Sequence, residues 1–120
     1  MAMKQALILA VLDLDIARKF YMEKLGFSEV WREGGWCMVQ RDESYVRLGH
    51  CPGIRSMSEC SEHSLVAQWE VDDAKGLWHE FKGNGVEVGE IKDQPWGYRE
   101  FVLSTPDGHR FLVMEAIDGE

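Results

Sequence analysis

The feature that most constrains this chain is a pattern it states twice, at an offset of 59 residues. Leu12-Asp13 opens a helical stretch that closes at Gly26-Phe27, and Val71-Asp72 opens another that closes at Gly85-Val86. At that offset Asp13 meets Asp72, Ala17 meets Gly76, Phe20 meets His79 and Gly26 meets Gly85. Each copy follows an apolar, strand-like run and precedes β-like segments. A chain of 120 residues holds one domain's worth of core, not two independent ones. The repeat therefore implies two like modules sharing a surface, with the space between them the natural place for a ligand. Module one is expected over about 1–50, a linker over about 51–63 and module two over about 64–120.

Local patterns fill in the modules. Met3 to Leu12 is a near-continuous apolar run and predicts a strand buried on both faces. Asp13 or Asp15 can cap the helix that follows over Ile16 to Leu25, with Ile16, Phe20, Tyr21 and Leu25 on neighbouring faces. Gly26 stands where a left-handed residue ends a helix. Strands are expected over Phe27 to Arg32, Trp36 to Gln40 and Tyr45 to Leu48, separated by Gly34-Gly35 and by Asp42 to Ser44. Cys51 to Glu62 has no period and reads as the linker. Ser64 to Val71 then reads as a strand, and Asp73 to Gly83 as a helix with Ala74, Leu77, Trp78 and Phe81 on one stripe. Val86 to Ile91 is a short strand. Arg99 to Ser104 and His109 to Glu115 form a hairpin around Thr105-Pro106-Asp107-Gly108. The order is strand, helix, three strands, twice over, with each helix covering one sheet face.

Charge and cysteine usage narrow the partners. Thirteen Lys and Arg against 21 Asp and Glu leave a net charge of −8, and no basic stripe for nucleic acid is visible. No apolar run approaches membrane-spanning length, and Met1 to Lys4 holds no secretory h-region. Cys37, Cys51 and Cys60 are odd in number and lack CxxC spacing, which argues for a reducing cytoplasm over a disulfide framework. His50-Cys51 with Cys60 and His63 fits none of the usual zinc spacings. No Walker loop, GxGxxG or catalytic triad is recognisable. Glu70 and His79 are the acid–base candidates left for a metal-free reaction.

Strand alternation sorts the side chains into two faces. Val46 and Leu48 oppose Tyr45 and Arg47, Cys37 and Val39 oppose Trp36, Met38 and Gln40, and Leu65, Ala67, Trp69 and Val71 oppose Val66, Gln68 and Glu70. Phe111 and Val113 likewise oppose Arg110, Leu112 and Met114. One surface is core-like. The other mixes aromatics, Met and polar groups, as a ligand-lined cup does. Trp69 and Trp78 fall on helix-facing positions and read as structural. Trp31, Trp36 and Trp96 fall at strand ends, on the mixed face or in a loop, and together favour a planar ligand.

The residues so collected resemble the vicinal oxygen chelate superfamily of glyoxalases, bleomycin resistance proteins and dioxygenases. The segment 13–27 (DLDIARKFYMEKLGF) is similar to that family's opening helix, and 93–101 (DQPWGYREF), continuing through Thr105-Pro106-Asp107-Gly108, most resembles the bleomycin resistance proteins. The resemblance implies an α+β fold: tandem βαβββ modules forming a curved, cup-like mixed sheet with helices on its outer face. Enzymes of the superfamily hold a divalent metal on His and Glu from four strands. By motif those positions fall near Ala6, at Arg47, near Val66 and at Leu112, where no side chain can donate a lone pair. The resemblance thus implies a cytoplasmic, homodimeric protein with no metal or other cofactor and no catalytic residue. It would sequester an aromatic, cationic, bleomycin-type antibiotic by stacking on Trp31, Trp36 and Trp96, with Arg47, Gln68 and Glu70 as polar anchors. Gln68 stands where the group has a further aromatic, Gly49 where it has a serine, and Arg47 where its groove is apolar. The alternative is a lyase, isomerase or dioxygenase of the same fold acting on another metabolite.

Overall fold

The computed structural model describes residue 3 and residues 5–53 and 65–117, which belong to two units, Met1–Arg55 and Ser56–Glu120. The first contains β1 (Leu7–Val11), α1 (Leu14–Lys19) running into a π-helical turn (Phe20–Lys24), β2 (Ser28–Glu33), β3 (Trp36–Arg41) and β4 (Ser44–His50). Its sheet order is β1-β4-β3-β2, with β1 parallel to β4 and the other pairs antiparallel. The second contains β5 (Leu65–Glu70), α2 (Ala74–Gly83), the two-residue strands β6 (Glu87–Val88) and β7 (Lys92–Asp93), β8 (Tyr98–Ser104) and β9 (Arg110–Ala116). Its order is β5-β9-β8-β6, with β7 also on β8 and β5 parallel to β9. Each unit is a strand, a helix and a run of strands closing one mixed sheet, as the repeat predicts. Of the expected linker only Cys51–Gly53 is described; Ser64, Cys60 and His63 lie outside the described residues.

The two helices start and stop by the same devices. Asp13 accepts from the Ile16 N–H and Asp73 from the Gly76 N–H, both at 3.0 Å. Gly26 and Gly85 close them at φ 79° and 84°, a conformation that penalises any Cβ. Asp73, not Asp72, is therefore the counterpart of Asp13, and the first helix carries one residue more. The π turn absorbs it: Leu25 N–H bonds to the Phe20 carbonyl at 3.2 Å, one residue beyond the α-helical partner. Leu25 thus stays on the buried side with Leu14, Ala17 and Tyr21. That stripe replaces the one expected from Ile16, which is 57% exposed.

Each helix covers one face of its sheet. In the first unit Leu9, Val11, Cys37, Val39, Val46 and Leu48 are buried on that side. β1 is shorter than its apolar run and is buried on one face only, since Ile8 on the other face is 63% exposed. In the second unit Phe101, Leu103, Phe111 and Val113 are buried with Ala74 and Phe81 of α2. Burying a phenylalanine of this kind contributes about 1.5–3 kcal/mol. Trp69 stacks on Phe111 with ring centroids 4.2 Å apart, so it is structural as expected. Trp78 is half-buried and ties α2 to the loop after β6 by an indole N–H bond to the Gly89 carbonyl at 2.9 Å. The strand expected over Val86 to Ile91 is only the two residues of β6, and the equally short β7 follows just beyond it; both pair with β8.

Candidate functional site

On the uncovered face of the first sheet, register places Ile8, Arg47, Met38 and Trp31 in one row across β1, β4, β3 and β2. Trp36 lies in the next row, opposite Gly49. Trp31 reaches this face only because β2 carries a bulge between Glu29 and Trp31. Glu29 pairs in register with Val39 on the helix side, where its carboxylate meets the Arg18 guanidinium. Arg32 also turns to that side and meets Asp15 of α1 at 2.5 Å. Those pairings raise the Arg18 pKa and hold the Asp15 carboxyl below its ordinary range, in each case chiefly through the hydrogen bond.

Arg47 lies against both indoles. Its guanidinium carbon lies 4.2 Å from the Trp36 ring centroid and 5.4 Å from that of Trp31, within cation–π range. Its Nε is buried and has no hydrogen-bond partner. A buried donor left unpaired costs about 1–3 kcal/mol, more when charged, so this is a position the fold holds at a penalty. Gly49 makes the arrangement possible, because a Cβ there would meet Trp36 Cζ3 at 2.7 Å. Sequence reasoning noted Gly49 only as a departure from a family pattern. Its role as the floor beneath Trp36 follows from the β3–β4 register.

In the second unit Gln68 and Glu70 lie on the face of β5 opposite Trp69, in register with Leu112 and Met114 of β9. Both are exposed, while Met114 on the same face is buried. Glu70 also lines an open cavity of about 390 Å³ with Val71, Asp72, Glu115 and Ala116. Sequence patterns missed this cavity, since it gathers the ends of two strands distant in the chain. Glu115 there accepts from the Ala74 N–H at 3.0 Å and so helps cap α2. Trp96 sits in the turn after β7 and is 62% exposed. That turn is held by the Gly97 N–H on the Gln94 carbonyl at 3.1 Å and the Ile117 N–H on the Gly97 carbonyl at 3.0 Å. The structure therefore brings Trp31, Trp36 and Arg47 together, sets Gln68 and Glu70 side by side on β5, and leaves Trp96 on its own turn.

Three other reactive side chains are turned to the interior or bonded to the backbone. His50 Nδ1 accepts from the Leu14 N–H at 3.3 Å. Burial pushes the Cys37 thiol up and the His109 imidazole down, favouring the neutral form of each. His79 projects from α2, which packs on the side of the sheet away from Glu70, so the two do not form an acid–base pair.

A divalent metal does not fit the positions the family uses. Ala6 precedes β1 and Val66 falls at the β5 register shift. The residue in register with Arg47 is Ile8 and that in register with Leu112 is Gln68. Of Ile8, Arg47, Gln68 and Leu112, only the glutamine has an oxygen to offer, and a neutral one. Among the described residues no three His, Cys, Asp or Glu side chains gather to hold an ion.

Comparison with known proteins agrees with this architecture. The model of the glyoxalase/bleomycin resistance protein/dioxygenase superfamily matches residues 4–113. A bleomycin resistance protein of Klebsiella pneumoniae is 27% identical over 104 residues, spanning 80% of this chain and 79% of its own. One of Geobacillus stearothermophilus is 28% identical over 123 aligned residues, spanning 91% and 93%. The crystal structure of a bleomycin-binding protein complexed with bleomycin shares the fold at TM-score 0.78 and 23% identity, covering 95% of this chain and 98% of that one. The chain belongs to the glyoxalase/bleomycin resistance protein/dioxygenase superfamily.

Proposed function

We propose that this superfamily member binds and sequesters a flat, aromatic antibiotic of the bleomycin type, so that its activity is affinity rather than turnover. The observation that carries this reading is the pair of indoles, Trp31 and Trp36, set with Arg47 on a sheet face whose neighbouring positions lack metal-ligating chemistry. Likeness to bleomycin resistance proteins along most of both chains supports it. Stacking on an aromatic side chain contributes about 1–3 kcal/mol per ring where it has been measured on bases. Trp96 is free to serve as a further platform, and Gln68, Glu70 and Arg47 supply the polar contacts. In this reading the protein is a cytoplasmic homodimer and protects stoichiometrically. The donor-poor set at Ile8, Arg47 and Leu112 speaks against the metal-dependent lyase, isomerase or dioxygenase alternative.

Titration with bleomycin, followed by tryptophan emission and calorimetry, tests the reading directly. Saturable quenching with the drug recovered unchanged is expected; no quenching and no heat at micromolar concentrations rejects it. Trp96→Ala should weaken binding about tenfold, at the lower end of the stacking range. Its melting temperature should stay within about 2 °C of wild type, since an exposed ring contributes little to the core. Sedimentation equilibrium addresses the dimer, and a monomer at micromolar concentration removes that part of the proposal.

A further inference from the structure

We propose that Arg47 makes the uncovered face of the first module an oxyanion-recognition site, selecting ligands whose flat ring carries a carboxylate, sulfonate or similar group. This rests on reading that face as a small-molecule site, and it narrows the chemistry of the guest. The guanidinium carbon lies over the rings of Trp36 and Trp31, at 4.2 Å and 5.4 Å to the ring centroids. Terminal N–H groups of a guanidinium held in this way form a fork that matches two oxygens of one anionic group. Its Nε finds no hydrogen-bond partner within the fold although it is buried, so the contact proposed is with the terminal N–H groups. Its register neighbours, Ile8 and Met38, offer no carboxylate.

Four other arginines have partners within the fold. Arg18 meets Glu29, Arg32 meets Asp15, Arg99 meets Asp93, and Arg41 donates to the Leu25 carbonyl. In a chain with 21 acidic residues against 13 basic ones, none of the described ion pairs engages Arg47. Gly49 lets Trp36 lie beside the arginine. A ligand group bearing only positive charge would be repelled at this point, whereas an oxyanion gains charge-assisted hydrogen bonds shielded by two indoles. Positive charge elsewhere on the same ligand is compatible with the site.

Three planar probes of one shape separate the possibilities: 2-naphthoate, 2-naphthamide and 2-naphthylmethylammonium, titrated against the full chain by tryptophan quenching and calorimetry. Naphthoate should bind wild type about tenfold more tightly than the amide, with the ammonium weakest. Arg47→Gln should abolish that order, and Arg47→Lys should keep only part of the preference. Raising salt from about 20 mM to about 500 mM should weaken naphthoate and not the amide on the wild-type protein, an arm that needs no variant. Equal binding of naphthoate and amide, a preference that survives Arg47→Gln, or no binding of any probe overturns the inference. If bleomycin still quenches the tryptophans in those cases, the inference falls alone; if bleomycin also fails, the functional reading falls with it.

Discussion

A Cβ on Gly49 would stand 2.7 Å from Trp36 Cζ3, closer than carbon atoms approach, and the backbone there is not left-handed. Gly49→Ala therefore forces the half-exposed indole outward rather than straining the chain. Melting temperature should move by less than about 4 °C, because the strand gains what a glycine lacks while the ring loses its seat. Tryptophan emission should shift, and bleomycin affinity should fall about tenfold; an unchanged spectrum with unchanged binding would show that Trp36 does not rest on Gly49. His109 makes the second residue-scale case. It is buried in the β8–β9 hairpin with Nδ1 unpartnered, and burial lowers its pKa although Asp107 pulls the other way. The unfolded chain then binds a proton at a higher pH than the folded one, so this contribution is intact above about pH 6.5 and is lost as pH falls through the folded value. Urea unfolding of wild type and His109→Gln between pH 7.5 and about pH 5 should show a shallower pH dependence in the variant; parallel curves would remove His109 as the cause. At this scale the open-face grouping of Trp36, Met38 and Arg47 was legible, because β3 and β4 alternate regularly. The side taken by Trp31 was not, since the bulge after Glu29 reverses the alternation that sequence reasoning relies on.

The elements show where periodicity informs and where it misleads. The repeat located both helices and both closing glycines, but it paired Asp13 with Asp72 because a constant offset cannot represent one inserted residue. The structure spends that residue in the π turn of the first helix, and Tyr21 and Phe81 then do equivalent work. The Phe27 N–H closes on the Tyr21 carbonyl and the Val86 N–H on the Phe81 carbonyl, both at 2.9 Å. Both rings are 1% exposed. If the π turn merely accommodates the insertion, deleting exposed Glu23 should convert it to a regular α-helical turn with Leu25 still on the buried side. A cooperative melt within about 5 °C of wild type is expected, as is a slightly stronger helical circular dichroism signal. Loss of cooperative folding would mean that the turn itself is required. The apolar run before Asp13 misled in the other direction. Hydrophobicity alone cannot say that one face of β1 stays uncovered, and Ile8 is spent on the candidate site rather than the core.

For the molecule as a whole, the acidic excess sets a stability term that no single contact carries. The described ion pairs, Arg18–Glu29, Arg32–Asp15, Lys92–Glu90 and Arg99–Asp93, all involve side chains with substantial exposure. Pairs of that kind contribute about 0–1 kcal/mol each and weaken in salt. Against them stands a net charge of −8, whose mutual repulsion is also screened by salt, in the stabilising direction. Many unpaired repulsions should outweigh a few solvated attractions. At pH 7, raising NaCl from about 20 mM to about 200 mM is therefore expected to lift the melting temperature by about 1–3 °C. Near pH 5, where the sequence charge balances, the repulsive part is gone and the same salt step should leave the midpoint level or lower it. Comparing salt slopes at fixed pH keeps the His109 titration out of the measurement, because that proton equilibrium is common to both salt conditions. A midpoint that falls with salt at pH 7 would show instead that the arginine–carboxylate pairs dominate, with those joining α1 to β2 the first to examine.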